Sequence, residues 1–387
     1  MLMITDTAAL TSYVDSLQGQ PFVAIDTEFL RESTYFPQLC LVQLAGPDDA
    51  GAIVDPLANG IDLDPLFGLL TDPAIVKVFH AARQDIEIFV NLSGAVPTPM
   101  FDTQIAAMVM GFGEQIAYDA LVRKLAGESI DKSSRFTDWS RRPLSEKQLN
   151  YALSDVTHLR VVYSSMLTEL ERSGRATWVG DEMASMADMG TYVSDPDDAW
   201  KRMKVRTNKP RFLAILKELA AWREREARSR DLPRNRVVRD EALLEIASDP
   251  PKDRDGLSHV RGLNRKIADG PFGRGMMDAV QKALNSPREE WPKVAKPEPP
   301  APHLAPVIEM LKVLLKRKCA AHGVAQKLVC PSGDIEKLAG DDAADVPALR
   351  GWRREVFGND ALELKAGRLA LAIRDNEVVE IALSAAD

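Results

Sequence analysis

Cysteine is scarce: Cys40, Cys319 and Cys330 are the only three in 387 residues. They are unevenly placed and lack CxxC spacing, so neither a disulfide framework nor a cysteine zinc site is indicated. Such usage suits a reducing compartment, and a cytoplasmic location is expected. Long apolar runs are also missing. No uninterrupted stretch approaches the roughly 20 residues needed to span a bilayer, and Met1-Leu2-Met3-Ile4-Thr5-Asp6 lacks a basic region followed by an apolar one. Neither export nor a membrane is expected. Finally, there is no overall positive surplus. The formal net charge is −8, which taken as an average argues against a nucleic-acid partner.

That average hides an asymmetry. Residues 1–180 carry 13 basic and 23 acidic side chains, and residues 181–200 add six acids and no base. Residues 201–284 reverse the balance with 21 basic against 12 acidic, and residues 285–387 are nearly neutral at 15 against 16. A basic segment of this kind is the footprint expected for phosphate contacts, although a solvated helix face has the same composition. With 45% apolar and 27% charged residues, the chain is globular and has room for two or three domains.

Residues 1–170 alternate strand-like and helical runs. Strands are predicted at Phe22–Asp26, Leu39–Leu44, Ala52–Val54 and Ile75–Phe79, with Pro99–Asp102 a short fifth. Helices are predicted at Leu63–Leu70, Asp85–Asn91, Thr103–Met110 and Tyr118–Leu125. This is an α/β layout with a central sheet, antiparallel at its start and parallel later. Ser145-Glu146-Lys147-Gln148 has the form of a capping box, so a long helix is expected to begin at Ser145. Beyond the acidic stretch, Pro210 opens a helical module with further helices at Asp240–Ala247, near Leu257–Ile267 and at Met276–Leu284. The proline-rich segment Ser286–Pro306 reads as a linker. After it the pattern returns: Glu241–Ala247 is echoed by Gly333–Ala339, and Val260–Arg265 by Leu349–Arg354, which suggests an internal duplication.

The acids are placed suggestively. Phe22-Val23-Ala24-Ile25-Asp26-Thr27-Glu28-Phe29 ends an apolar run in two carboxylates on one face of an extended backbone. Like charges that close are tolerated when a cation lies between them, so an oxygen-ligand metal site is one reading. A strand running out into a solvated acidic loop is the other. Asp85 lies just past a predicted strand, where open α/β sheets place ligands, and it also fits simple stabilisation of a helix N-terminus. Tyr151 and Asp155 share one helical face. Asp102 reads best as a helix cap and His80 as a hydrogen-bonded core residue.

Three segments together carry a resemblance: Val23-Ala24-Ile25-Asp26-Thr27-Glu28-Phe29, Lys77-Val78-Phe79-His80-Ala81-Ala82-Arg83-Gln84-Asp85 and Tyr151-Ala152-Leu153-Ser154-Asp155-Val156. In order, spacing and flanking residues they resemble the three exonuclease motifs of the DEDD superfamily, in its tyrosine-containing subgroup. The run from Thr137 to Ala152 resembles the ribonuclease D family in particular. Leu219-Ala220-Ala221-Trp222-Arg223 and Pro233-Arg234-Asn235-Arg236-Val237-Val238 resemble the helicase-and-RNase-D C-terminal (HRDC) helical domain. The implied architecture is a ribonuclease H-like α/β exonuclease domain with a mixed central sheet (1–190), followed by two small all-α helical domains (210–285 and a divergent 306–387). Linkers are expected at 191–209 and 286–305.

The resemblance implies 3′-to-5′ exonucleolytic hydrolysis of RNA, with tRNA precursor 3′ ends as the usual substrate class and nucleoside 5′-monophosphates as products. It implies two Mg²⁺ or Mn²⁺ ions, with Asp26 bridging them, Glu28 and Asp155 completing the first site, Asp85 holding the second, and Tyr151 positioning the nucleophile. An all-carboxylate set suits these hard cations and argues against zinc. No small-molecule cofactor is expected, and RNA contacts are expected in part from the basic first helical domain. The rival readings are a DNA 3′-exonuclease and an inactive nucleic-acid-binding adaptor.

Overall fold

The apolar run beginning at Phe22 continues past its acids. Strand β2 spans Phe22–Leu30, and its first four residues are fully or almost fully buried. The computed structural model describes residues 2–48, 51–135, 137–294 and 300–383, so residues 295–299 of the proline-rich segment lie outside the described residues. β2 is central to a six-stranded sheet whose other members are β1 (Leu2–Ile4), β3 (Gln38–Ala45), β4 (Ala52–Val54), β5 (Val76–Phe79) and β6 (Met100–Asp102), in the order β1-β4-β3-β2-β5-β6. β2 pairs antiparallel with β3 and parallel with β5, while β5–β6 and β1–β4 are parallel. The expected switch from a meander to parallel strands therefore occurs at β2, the strand that carries the two acids. β1 and the helix after it, α1 (Thr7–Ser16), are absent from the sequence expectation. β1 has only three residues, too few to show an alternation.

Helices α2 (Asp64–Thr71), α3 (Arg83–Ser93), α4 (Thr103–Val109) and α5 (Tyr118–Leu125) follow the prediction to within two residues at each end. Helix α6 (Glu146–Arg172) starts at the capping box: the Ser145 hydroxyl accepts from the Gln148 amide, and the Gln148 side chain accepts from the Ser145 amide. This helix packs across β2 and β3 and brings Tyr151 and Asp155 over the acids of β2. The loop in front of it is held by Arg142, whose guanidinium donates 2.6 Å bonds to both carboxylate oxygens of Asp55 and 2.8 Å bonds to the carbonyls of Cys40 and Trp139. Helix α7 (Ala176–Met186) closes the sheet region.

Two further apolar cores follow. The first is built on α8 (Pro210–Ser229), α9 (Arg234–Val237), α10 (Asp240–Ser248), α11 (Arg254–Ser258), α12 (Arg265–Asp269) and α13 (Pro271–Asn285). The single helix expected near Leu257–Ile267 is two short ones, because the chain turns at Gly262 with φ +86°. The second core is built on α14 (Ala305–His322), α15 (Gln326–Val329) and α16 (Ser332–Gly340). α15 and α16 repeat α9 and α10 at an offset of 92 residues, so the duplication visible in sequence is also one of structure.

This last module departs from the all-α expectation. After α17 (Gly351–Arg353), a π turn at Arg354–Gly358 and α18 (Asn359–Lys365), it ends in an antiparallel hairpin of β7 (Leu369–Arg374) and β8 (Glu377–Ala382). Asp375 and Asn376 both have positive φ, as a two-residue hairpin turn requires.

Both helical modules dock on the sheet domain. The β2–β3 loop inserts Tyr35 against α8, where its hydroxyl donates to the buried Glu224 and accepts from Arg228 at 2.9 Å and Arg234 at 3.1 Å. Asp231 accepts from the amides of Tyr35 and Phe36, both at 3.0 Å. The second module stacks Trp352 on Trp178 with ring centroids 4.4 Å apart. Gly111 lies so close to it that a Cβ there would sit 2.6 Å from the Gly323 carbonyl oxygen.

Candidate active site

β2 delivers Asp26 and Glu28 from one face, and a register shift directly after Glu28 bends the strand beyond the acids. Asp155 arrives from α6. One carboxylate oxygen from each of Asp26, Glu28 and Asp155 lies within 4.8 Å of the others. Asp85 does not join that trio. It lines the same cavity from the first turn of α3, and its carboxylate accepts a hydrogen bond from the Thr27 hydroxyl. Tyr151 lines the cavity one turn before Asp155 and is hydrogen-bonded to it. The cavity holds about 700 Å³, and Lys132 and Arg135 also line it.

Two sequence readings resolve to support roles. Asp102 caps α4 through the Gln104 amide at 2.7 Å, and it also accepts from the amides of Ala81 (3.0 Å) and Ala82 (2.8 Å). Ala81 has φ +59°, so this carboxylate holds the bent loop from which α3 and Asp85 emerge. His80 is hydrogen-bonded through Nδ1 to Thr103 at 2.9 Å and packs on Tyr118. The Tyr118 hydroxyl in turn donates to the Asp155 backbone carbonyl.

Two residues that sequence reasoning passed over also sit at the site. Gln43 pairs directly across from Asp26, is fully buried, and has no hydrogen-bond partner for either amide atom among the described residues. Its signal was available, as the one polar side chain inside Leu39-Cys40-Leu41-Val42-Gln43-Leu44-Ala45. Trp139 is 2% exposed and stacks on Tyr151 with centroids 6.1 Å apart.

Without a cation this arrangement is electrostatically costly. Burial first, then the charge of Asp155, raises the Asp26 carboxyl well above the usual range. Burial and the charges of Asp26, Asp155 and Asp85 push Glu28 up to about 10, with Arg135 offsetting only part. Burial raises Asp155 to about 7 against the opposing effects of the Tyr151 hydrogen bond and Arg135, and burial with the Asp26 charge raises Asp85. A cluster of oxygen donors whose ionised forms repel at close range is the chemistry of a divalent hard-cation site. The residues present fit such ions.

These shifts set a pH dependence. Each carboxyl binds its proton more tightly folded than unfolded, so between the ordinary carboxylate range and about pH 10 for Glu28 the native state holds more protons. In that window the stability of the cation-free protein falls as pH rises. Divalent cations bind the deprotonated form, so Mg²⁺ or Mn²⁺ should raise Tm more at about pH 8.5 than at about pH 6. Thermal melts with EDTA or excess cation at the two pH values check this. An increment equal at both pH values, or larger at the lower one, would contradict the shifts.

Comparison with known proteins places the geometry. A family model described as a 3′-5′ exonuclease matches residues 1–171, and one described as an HRDC domain matches residues 212–280. The ribonuclease D of Acidiphilium cryptum is 50% identical over 377 residues, covering 97% of this chain and 96% of that protein. The ribonuclease D of Gluconacetobacter diazotrophicus is 51% identical over 381 residues, covering 98% and 96%. The chain belongs to the ribonuclease D family.

It is a 3′-to-5′ exoribonuclease, a hydrolase. The crystal structure of Escherichia coli RNase D, described as an exoribonuclease involved in structured RNA processing, matches with a TM-score of 0.81 at 33% identity and covers 94% of this chain and 98% of that one. Membership in the ribonuclease D family implies divalent cations and a nucleic-acid substrate, consistent with the acidic cluster. No helix among the described residues is long and apolar enough to cross a membrane.

Proposed function

We propose that this chain trims RNA 3′ ends at the cavity between β2 and α6, with two Mg²⁺ or Mn²⁺ ions and with 3′-extended tRNA precursors as its substrate class, in the cytoplasm. The observation that carries this reading is the convergence of Asp26, Glu28 and Asp155 within 4.8 Å, with Asp85 and Tyr151 on the same cavity. Asp26 would serve both ions, Glu28 and Asp155 the first, and Asp85 the second. When bound, such ions lower the pKa of water and stabilise charge on the leaving oxygen, so the protein needs no side-chain nucleophile.

The chain's own residues do the rest. Burial and the neighbouring carboxylates raise the Tyr151 phenol, so it stays neutral and can orient the attacking water with its hydroxyl while Trp139 fixes its ring. Arg135 supplies positive charge beside Glu28, Tyr151 and Asp155, while Lys132 on the same cavity is paired with Asp119 at 2.7 Å. Water oxygen bonds to phosphorus, the bond to the 3′ oxygen breaks, that oxygen takes a proton, and a nucleoside 5′-monophosphate leaves. The chain is parsed as an exonuclease domain at 1–190 and helical domains at 210–285 and 306–387, joined through 191–209 and 286–305, with the basic first helical domain sharing the RNA contacts.

The test is incubation of the purified chain with 3′-extended tRNA and with single-stranded DNA of the same sequence, in Mg²⁺, Mn²⁺ or EDTA. Stepwise release of mononucleotides from the tRNA, abolished by EDTA and much slower on DNA, is expected. Equal attack on DNA, or binding of the tRNA without cleavage, would refute the proposed substrate.

A further inference from the structure

Arg31, at the start of the β2–β3 loop, borders the catalytic cavity and also a second one of about 550 Å³. One wall of this second cavity is α3, which contributes Arg83 and Glu87. The other is the first helical module, with Arg228 from α8 and Arg234 from α9, and Arg202 lies just ahead of that module. Five arginines face a single carboxylate, Glu87, which pairs with Arg31. Arg202 and Arg234 then border a third hollow within the helical module. The three spaces are thus neighbours, with Arg31 shared by the first two and Arg202 and Arg234 by the last two, although the third is also lined by Glu224, Asp240 and Glu241.

The arginines differ in what occupies them. Arg228 and Arg234 are structural. They hold Tyr35 and the 1%-exposed Glu224, and their guanidinium groups lie 5.7 and 4.7 Å from the Tyr35 ring centroid. Arg83 and Arg202 are exposed, and no carboxylate forms an ion pair with either among the described residues. A guanidinium presents a planar fork that matches two phosphate oxygens. Arg31 and Arg83 come from the module of net negative charge, and the other three lie in the basic segment. This arginine-lined cleft on the acidic domain is completed by the helical module docked on it.

We propose that this cleft, between the β2–β3 loop and the first helical module, holds the phosphodiester backbone of the RNA strand 5′ of the nucleotide being removed. The inference rests on the catalytic cavity taking the 3′ end. With that end seated at Asp26 and Glu28, the remainder of the strand must leave the cavity, and the border at Arg31 leads to Arg83 and Arg202. The helical module then acts as one wall of a groove continuous with the catalytic site.

The experiment uses the full chain with 5′-fluorescein-labelled single-stranded RNA of graded length, measured by anisotropy in EDTA so that nothing is hydrolysed. Arg83→Ala and Arg202→Ala are compared with Arg374→Ala, which removes the same charge from the exposed terminal hairpin. Each cleft variant is expected to weaken binding of the longest strand about fivefold to tenfold and to make the slope of log K against log[salt] shallower by about 0.7, the value for one lost single-strand phosphate contact. The loss should shrink as the strand shortens toward a dinucleotide. If both variants match Arg374→Ala in affinity and slope, the cleft does not hold RNA. A parallel hydrolysis assay in Mg²⁺ separates the two ideas. A wild type that releases no 3′ mononucleotide refutes the catalytic reading while the anisotropy still decides the cleft, whereas normal trimming with unmoved anisotropy refutes the cleft alone.

Discussion

Asp155→Asn is expected to lower the hydrolysis rate by roughly 10³-fold or more, because charge stabilisation by a bound metal is worth several kcal/mol and this variant removes one of its proposed anionic ligands. The same change is expected to stabilise the cation-free protein. Asp155 is among the causes that raise both Asp26 and Glu28, and with its own carboxyl at about 7 it is ionised above neutrality. Asparagine keeps an acceptor for Tyr151 and removes the repulsion. In EDTA at about pH 8, Tm should rise by roughly 2–4 °C for each 1 kcal/mol relieved. Below about pH 6 the wild-type residue is already neutral and the gain should vanish. Loss of activity with a gain of stability is the signature of a site that stores repulsion for a ligand. Parallel losses of both would instead mark Asp155 as a structural residue.

The second large effect concerns Arg142. Its side chain is 27% exposed and its partner Asp55 only 7%, and it makes a two-pronged bond to that carboxylate while also tying down the Cys40 and Trp139 carbonyls. Arg142→Ala leaves Asp55 buried and unpaired, for which the expected cost is about 3–5 kcal/mol. A urea midpoint measured beside Arg142→Ala/Asp55→Asn checks the mechanism: the second change should recover much of the loss, since it removes the orphaned charge. A loss under about 1 kcal/mol in the single variant would show that the clamp is redundant. Because Trp139 stacks on Tyr151, activity should fall even at temperatures where the variant remains folded.

How much of this was legible in the sequence varied with the range of the interaction. Asp26 and Glu28 were readable because a strand has a period of two, and Tyr151 with Asp155 because a helix brings residues four apart together. The cap at Ser145 and the recurrence of the helical module are local or repetitive signals, and the structure reproduces them. Asp85 was identified by its position after a strand, but its bond to Thr27, 58 residues away, is a product of the fold. Gln43 carried a signal in its polarity, yet its placement opposite Asp26 depends on the register of β2 against β3. The contact of Tyr35 with Glu224 spans 189 residues and leaves no pattern in either segment. Glu224 lies within the charged run Arg223-Glu224-Arg225-Glu226 and is nevertheless buried. The terminal hairpin was hidden for a different reason: its strands stand half exposed beyond a helical repeat whose pattern carries no signal for them.

The most direct test of the proposed centre is a count of divalent ions. Mn²⁺ binding to the full chain, followed by electron paramagnetic resonance or calorimetry at about pH 8, should show two ions per chain in the wild type and the loss of at least one in Asp155→Asn. Fewer than two ions in the wild type, or the same number bound with the same affinity in the variant, would contradict the assignment of Asp26, Glu28, Asp85 and Asp155.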